Sequence, residues 1–406
     1  MRTSVVRLAV AAAFMPALAG AQSLSFTESD ALARISPDSP RVRALRAAAD
    51  VAAAEVLTAA RWPNPRLTLD RESVAGITEY LTMLTQPLPI TGRRGLAVQA
   101  AQASASASAS RAAEELRRLR ADARAAFAEL VAAQTREREL IGTRDRLQEL
   151  AGTLARREAS GDVAGYDRLR AEREVLEVET ELAVAASERV RAQAMLAGYM
   201  SGVDASLITA VPPPPSTADV PPLEALLAQA ESVRGELRAY RQEADAARLA
   251  VRAAERSRVP EPEIAAGTKS SSAAGGDIGS VLTVHASVPL FDRARPERTI
   301  AAARAAQAEA RAAAFVAVLR SEVMALRAAV VDRREAAARY RAHALERAAQ
   351  IERIARVSYD AGERSILELL DAYRLGASTR TRQASLDLSV RLAEIELGFA
   401  TGWEER

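Results

Sequence analysis

Two periodicities take turns along the chain. In the longer one, apolar and small side chains recur every three or four residues. Leu116, Leu119, Ala123, Phe127, Leu130 and Gln134 do so in the first half, and Leu319, Val323, Leu326 and Val330 in the second. That spacing lays a heptad-like stripe along a helix and predicts a partner helix beside it. No proline interrupts the chain from Arg93 to about Arg157. A single helix of about 65 residues is expected there, spanning about 98 Å at the usual rise per residue. A glycine turn follows (Ser160-Gly161-Asp162, and Ala361-Gly362-Glu363 in the second half), and a helix then returns to 198 or 398. Shorter helices are expected over roughly 40–60 and 235–257. Ser39 and Pro40 suit the N-cap and first turn of the first of them. A proline pair ends each, because proline lacks the N–H and clashes with the preceding turn.

The second periodicity is two. It occupies 64–88 and 261–290, in stretches such as Arg66-Leu67-Thr68-Leu69-Asp70 and Val281-Leu282-Thr283-Val284-His285-Ala286-Ser287-Val288. Alternation with β-branched residues predicts strands. In the clearest one, Leu282, Val284, Ala286 and Val288 share one face, and Val281, Thr283, His285 and Ser287 the other. The alternation is weaker in the first half and leaves its register open. The glycine- and serine-rich stretch Lys269 to Gly279 reads as the loop of a hairpin.

The whole layout occurs twice. Arg61-Trp62-Pro63-Asn64-Pro65 returns as Arg258-Val259-Pro260-Glu261-Pro262, and Pro89-Ile90-Thr91-Gly92-Arg93 as Pro289-Leu290-Phe291-Asp292-Arg293. Gly161 returns as Gly362, and Tyr199-Met200-Ser201-Gly202 as Phe399-Ala400-Thr401-Gly402, all at offsets of 197 to 201 residues. A duplication of that period is expected. Its halves, 22–210 and 223–406, are joined at 211–222 by proline runs (Val211 to Pro215, then Pro221-Pro222) that form a semi-rigid spacer.

Composition narrows what such a chain can do. Residues 1–21 have the form of a secretory signal: Arg2 and Arg7, the short apolar run Leu8 to Phe14, then Pro16. Cleavage sites follow at Ala17-Leu18-Ala19 and Ala19-Gly20-Ala21, and cleavage after either Ala19 or Ala21 fits. Removing the signal takes two of the 55 basic residues and leaves 53 against 53 acidic ones. Nucleic acid is therefore not an expected partner, since phosphate binding wants a concentrated basic surface. There is no cysteine, which excludes disulfides, cysteine-ligated metals and an N-terminal lipid anchor. The two histidines, His285 and His343, have no ligand-spaced partners, and no phosphate loop, nucleophile elbow or HExxH motif is present. No enzyme, cofactor or metal site is expected. No run of about 18 apolar residues follows the signal, so no membrane-spanning helix is expected either.

The strands are of a length that crosses a bilayer when tilted. A bilayer tolerates strands only in closed barrels, and four strands cannot close, so several chains would have to pool theirs. The rival is a periplasmic coiled-coil scaffold or adaptor, which has no use for the alternating strands and would show one hairpin, not two.

These residues resemble a known family. The run Tyr359-Asp360-Ala361-Gly362-Glu363-Arg364-Ser365-Ile366-Leu367-Glu368-Leu369-Leu370-Asp371-Ala372-Tyr373-Arg374 is similar to the signature of TolC-type outer-membrane efflux proteins. So are Gln86-Pro87-Leu88-Pro89, Ser287 to Arg293, and the Trp62-Pro63-Asn64-Pro65 junction. The resemblance covers the whole mature chain. It implies a mainly α fold with a small β part, duplicated as helix, two strands and long helical hairpin. Three copies would form a twelve-stranded outer-membrane barrel in a Gram-negative bacterium, continued by an α-helical barrel in the periplasm. It implies a passive exit duct for metal cations or for drugs and other small molecules. Its partners would be itself (a homotrimer), a periplasmic adaptor (membrane-fusion) protein, an inner-membrane pump of the resistance-nodulation-division type, and outer-membrane lipid. The chain's shortness and Gly92-Arg93-Arg94-Gly95 resemble the heavy-metal-cation branch.

The resemblance also implies a gate at the hairpin tips. Glu368 and Asp371 match its two acidic ring positions. Three apart, they share a helix face, and a trimer would set six carboxylates about a narrow axis, favouring cations and raising the carboxyl pKa values. Asp167, Arg364 and Tyr359 match the positions that latch one hairpin to the other. Tyr166 stands at a neighbouring position where the family usually has a small hydroxylated residue. All six also fit a plainer role as solvated helix-end residues. The turns Gly161-Asp162-Val163 and Gly362-Glu363-Arg364-Ser365 are candidate adaptor-docking tips or plain hairpin turns.

Overall fold

The computed structural model describes residues 24–161, 165–214 and 218–403. The expected signal peptide and the tip residues Asp162 and Val163 lie outside the described residues. The first repeat runs β1 (Leu24–Phe26), α1 (Glu28–Ala33), α2 (Pro40–Ala60), β2 (Arg66–Val74), β3 (Ile77–Pro87), α3 (Arg93–Ala159), α4 (Gly165–Ala197) and β4 (Ile208–Ala210). The second runs α5 (Leu223–Val233), α6 (Gly235–Arg256), β5 (Pro262–Ser271), β6 (Asp277–Ala286), α7 (Arg295–Tyr340), a π-helical turn at Arg341–Leu345, α8 (Glu346–Asp360) and α9 (Ile366–Thr401). The short β1, β4, α1 and α5 were not expected from the sequence. β1 and β4 form a two-stranded parallel pair that closes the base of the first hairpin. There Phe26, Ile208 and Ala210 are buried with Phe127, Leu130 and Leu196.

Ser39 caps α2 as expected, its hydroxyl accepting from the Val42 amide at 3.3 Å, with Pro40 in the first turn. α3 is 67 residues long, about 100 Å at 1.5 Å per residue. Its seam with α4 keeps a strict heptad: Ala171, Val178, Ala185 and Ala192 are buried on α4, and Leu140, Leu147 and Leu154 on α3. Small residues at one side of that seam let the two backbones approach, and long ones at the other fill the space. The second hairpin keeps the heptad through Val323, Val330 and Ala337, then skips eleven residues to Ala348 before resuming at Ala355. The π-helical turn lies within that skip. An extra four residues in a heptad must be absorbed by local unwinding, and the wider π-turn absorbs them here.

The two repeats are held together by buried charge as well as by apolar contact. Arg234, between α5 and α6, is 5% exposed and sits 2.8 Å from Glu114 of α3. The Gly235 amide donates to the same carboxylate at 3.2 Å. Arg118 of α3 forks onto Glu396 of α9 with two 2.7 Å hydrogen bonds. Among the described residues, no helix is long and apolar enough to cross a membrane.

The four long strands form one antiparallel sheet in the order β2-β3-β5-β6. They are 9, 11, 10 and 10 residues long. β2 and β6 leave both edges unpaired. Because β3 pairs with β5 (Met83 opposite Gly267, Leu84 opposite Ala266), the repeats meet inside the sheet. Gly267 is required there: a Cβ on it would sit 1.8 Å from the Thr82 carbonyl oxygen. The ladder also fixes the register that the first half left open. Leu67, Leu84, Ala266 and Leu282 stand side by side, so Leu67, Leu69, Tyr80, Leu84, Ile264, Ile278, Leu282 and Val284 share one face. All of them are exposed. The other face carries Arg66, Asp70, Glu72, Glu79, Glu263, Lys269, Asp277 and His285, with Lys269 2.7 Å from Glu79.

Two expectations about the strands need correction. The loop expected over Lys269 to Gly279 is confined to 272–276, because cross-strand pairing continues out to Ser271 opposite Asp277. Small polar residues suit a strand exposed on both faces, and their composition alone resembled a turn. Ser287 and Val288, expected to continue the alternation, lie beyond β6. The partner strand begins at Pro262, opposite Ala286, so nothing is left to pair with them, and Leu290 instead turns back to the Val288 carbonyl at 2.9 Å.

Candidate functional site

The hairpins end in turns far along the helices from the sheet. In the second, Ala361 donates to the Val357 carbonyl and Gly362 to that of Tyr359, both at 3.0 Å. Gly362 then takes φ 74° and Glu363 reaches back to the Ser358 carbonyl at 2.8 Å. A left-handed residue here lets the chain reverse within one turn, and glycine adopts it without a Cβ clash. Gly161 does the same at φ 83° in the first hairpin. That turn is clasped by Arg168, which holds Glu158 at 2.5 Å and Glu172 at 2.7 Å. Gly161, Gly362, Glu363, Arg364 and Ser365 are all exposed, as docking or a plain turn requires.

Glu368 and Asp371 stand on the water side of α9, while Ile366, Leu369, Leu370 and Tyr373 on its other side are buried. Those four join Leu147, Leu150 and Leu154 of α3, Ala171 and Val178 of α4 and Ala355 of α8 in one core. Four helix ends from both hairpins therefore share an apolar knot immediately behind the acidic pair.

Tyr359 packs against this knot, half-buried. Burial raises its phenol above the ordinary value. The Arg157 guanidinium, which hydrogen-bonds it from the first hairpin, opposes that shift, and the nearby Asp167 and Asp360 carboxylates reinforce it. Tyr359 and Asp167 are thus brought together across the hairpins. Arg364 is not joined to them: it lies 3.5 Å from Glu368, one turn on. No ion pair links it to Asp167 among the described residues. Tyr166 is exposed, and its hydroxyl accepts from Arg170 of its own helix at 3.0 Å.

Several links between the hairpins were missed from the sequence. Arg157 holds Tyr359. Arg374 of α9 forks onto Glu174 of α4. Arg380 of α9 reaches Glu139 of α3 and Glu352 of α8, each at 2.9 Å. Each is one charge among many on helices rich in Arg and Glu, and nothing in a linear pattern says which pairs meet across an interface. Among the described residues no group of three His, Cys, Asp or Glu could hold a metal ion.

Residues 226–403 match the sequence model of a family described as outer membrane efflux protein. No curated protein matches the chain. Among solved structures it is similar to a membrane protein from Pseudomonas aeruginosa, at 20% identity and a TM-score of 0.78, covering 92% of this chain and 93% of that one. It is similar also to the outer membrane protein VceC of Vibrio cholerae (17%, 0.76, covering 93% and 97%). A third is the CmeC outer membrane channel of Campylobacter jejuni (13%, 0.78, covering 92% and 85%). At such identities the likeness is one of fold, and it extends over both repeats.

Proposed function

From the premise that this chain belongs to the outer membrane efflux protein family, we propose that it is the outer-membrane exit duct of a tripartite efflux system. The observation that carries this is the sheet. It has four strands of bilayer-crossing length, an exposed apolar face, a charged opposite face and two unpaired edges. Such a sheet is a segment of a barrel wall, with lipid outside and water within. Three copies joined edge to edge supply twelve strands, enough to leave an open lumen. The long hairpins then continue the lumen into the periplasm and present their turns to an adaptor protein and an inner-membrane pump.

At those turns Glu368 and Asp371 form the acidic ring. Tyr359 with Arg157 and Asp167 is the link between hairpins. Arg364 acts on the ring through Glu368, and Tyr166 lines the outside of the tip. Gly161, Asp162, Val163, Gly362, Glu363 and Ser365 are the docking turns. The duct does no chemistry itself, and the pump sets whether metal cations or drugs pass. Fractionating the cell envelope and measuring the native mass of the detergent-extracted protein by light scattering tests this. A trimer of the processed chain in the outer-membrane fraction is expected. A water-soluble monomer or dimer would favour the periplasmic scaffold instead.

A further inference from the structure

Two helical turns above Asp167, Glu174 of α4 is only 4% exposed. Both of its side-chain oxygens are held by one residue, Arg374 of α9, whose Nε and Nη2 donate to Oε1 and Oε2. Glu174 belongs to the first hairpin and Arg374 to the second. A forked, charge-assisted pair is among the stronger polar contacts a protein makes. Its two ends are unequally placed, since the Arg374 side chain is 54% exposed. If α9 moved away, water would solvate the guanidinium, and Asp371, one turn back on the same helix, already bears on it. The Glu174 carboxylate would stay behind, beside the buried Ala171 and Val178 seam. Leaving a carboxylate buried without a partner is costly, so the burial of Glu174 favours the closed pairing.

Arg380, six residues on, makes the contrast. It holds Glu139 of the first hairpin but also Glu352 of its own. Glu352 lies flat on Gly376, where a Cβ would fall 1.3 Å from its oxygen. When the hairpins part, Arg380 keeps one acid, whereas Glu174 keeps none.

We propose that Glu174 and Arg374 are a latch, separate from the residues at the turns, that must break for the two hairpins to part and the periplasmic entrance to widen. This rests on reading the hairpin tips as a gate. The test uses full-length E174Q, R374Q and the double variant, checked by circular dichroism for wild-type helicity. Glutamine at 174 keeps the shape and removes the charge. Each single variant is expected to raise single-channel conductance in planar bilayers several-fold. The double variant should be no more open than either single one, because a pair acting as a unit is lost at the first substitution. Additive increases, or conductance at the wild-type level, would overturn the latch. Nitroxide labels at the exposed Leu169 and Leu367, placed in a chain that has no cysteine of its own, read the same event without a pore. Their separation should lengthen in both single variants, and unchanged distances would sink the proposal. A wild-type chain that carries no current would count against the duct, and the label distances would still decide the latch.

Discussion

Glu368 and Asp371 project from a helix whose opposite side is anchored in the apolar knot, so their place is fixed by Ile366, Leu369, Leu370 and Tyr373 more than by the exposed Arg364 that lies 3.5 Å from Glu368. Removing the two carboxylates should therefore alter charge without altering shape. Glu368→Ala with Asp371→Ala is expected to raise conductance in planar bilayers and weaken cation preference. Unchanged ion selectivity would remove both from the ring. Glu28 is a different kind of acid. It sits at the start of α1 between Arg124 of α3, at 2.5 Å, and Arg391 of α9, at 2.8 Å. Burial pushes its carboxyl up, but the two guanidinium groups outweigh that and hold it below the ordinary 4.5. A lowered acid contributes stability that is present above the unfolded value and is lost as pH falls through the folded one. Glu28→Gln should thus cost about 1.5–3 kcal/mol near neutral pH, and the gap from wild type should close in acid. Thermal unfolding followed across pH measures it, and a gap that stays constant as pH falls far below the ordinary carboxylate value would contradict the assignment.

At the scale of elements, the seam between β3 and β5 joins the two repeats, and Gly267 is its narrowest point. Gly267→Ala drives a methyl group into the Thr82 carbonyl and toward the Met83 sulfur, a strain of about 1–3 kcal/mol. Yield of assembled protein from the outer-membrane fraction should fall. Gly279→Ala, whose nearest new neighbour is 4.0 Å away, should leave it unchanged, and equal yields from both would show that the seam tolerates the methyl. The long hairpins were legible in the sequence because a step of three or four, sustained over many turns without proline, fits nothing but a helix. β6 was legible through Leu282 and Val284, which alternate cleanly. β2 was less so, since Asp70, Arg71 and Glu72 interrupt its alternation, and only pairing with β3 shows which face each occupies. Three-residue strands such as β1 and β4 carry no period at all. The eleven-residue skip from Ala337 to Ala348 was written in the chain but hidden, because alanine occurs on every face of these helices. At the tips, the acidic pair could be placed by spacing, whereas the links Arg157 to Tyr359 and Glu174 to Arg374 depend on which helices lie side by side.

For the whole molecule, acidic side chains stand at both ends of the proposed lumen, on the sheet and at the tips. The face of the sheet proposed to line it bears Asp70, Glu72, Glu79, Glu263 and Asp277 against Arg66 and Lys269, and Glu72 stands directly opposite Glu79. Like charges across a ladder are unfavourable, and Lys269, 2.7 Å from Glu79 and within the field of Glu72, offsets them. Replacing Glu72, Glu79 and Asp277 with glutamine should shift the reversal potential toward zero in a salt gradient while leaving the gate's conductance near wild type. An unmoved reversal potential would place these carboxylates outside the conducting path. The hairpins, finally, act as a measuring rod. α3 and the α7–α8 leg run from the sheet to the tips, with α4 and α9 returning beside them for 33 and 36 residues. The heptad of Ala171, Val178, Ala185 and Ala192 opposite Leu140, Leu147 and Leu154 stays in phase when both legs of a pair lengthen by a whole heptad, about 10 Å. Whole heptads keep the seam in phase, whereas any other insertion needs a compensating π-turn like the one at Arg341–Leu345. A lineage whose two membranes stood farther apart would lengthen this protein most simply by adding matched heptads to both legs of each hairpin.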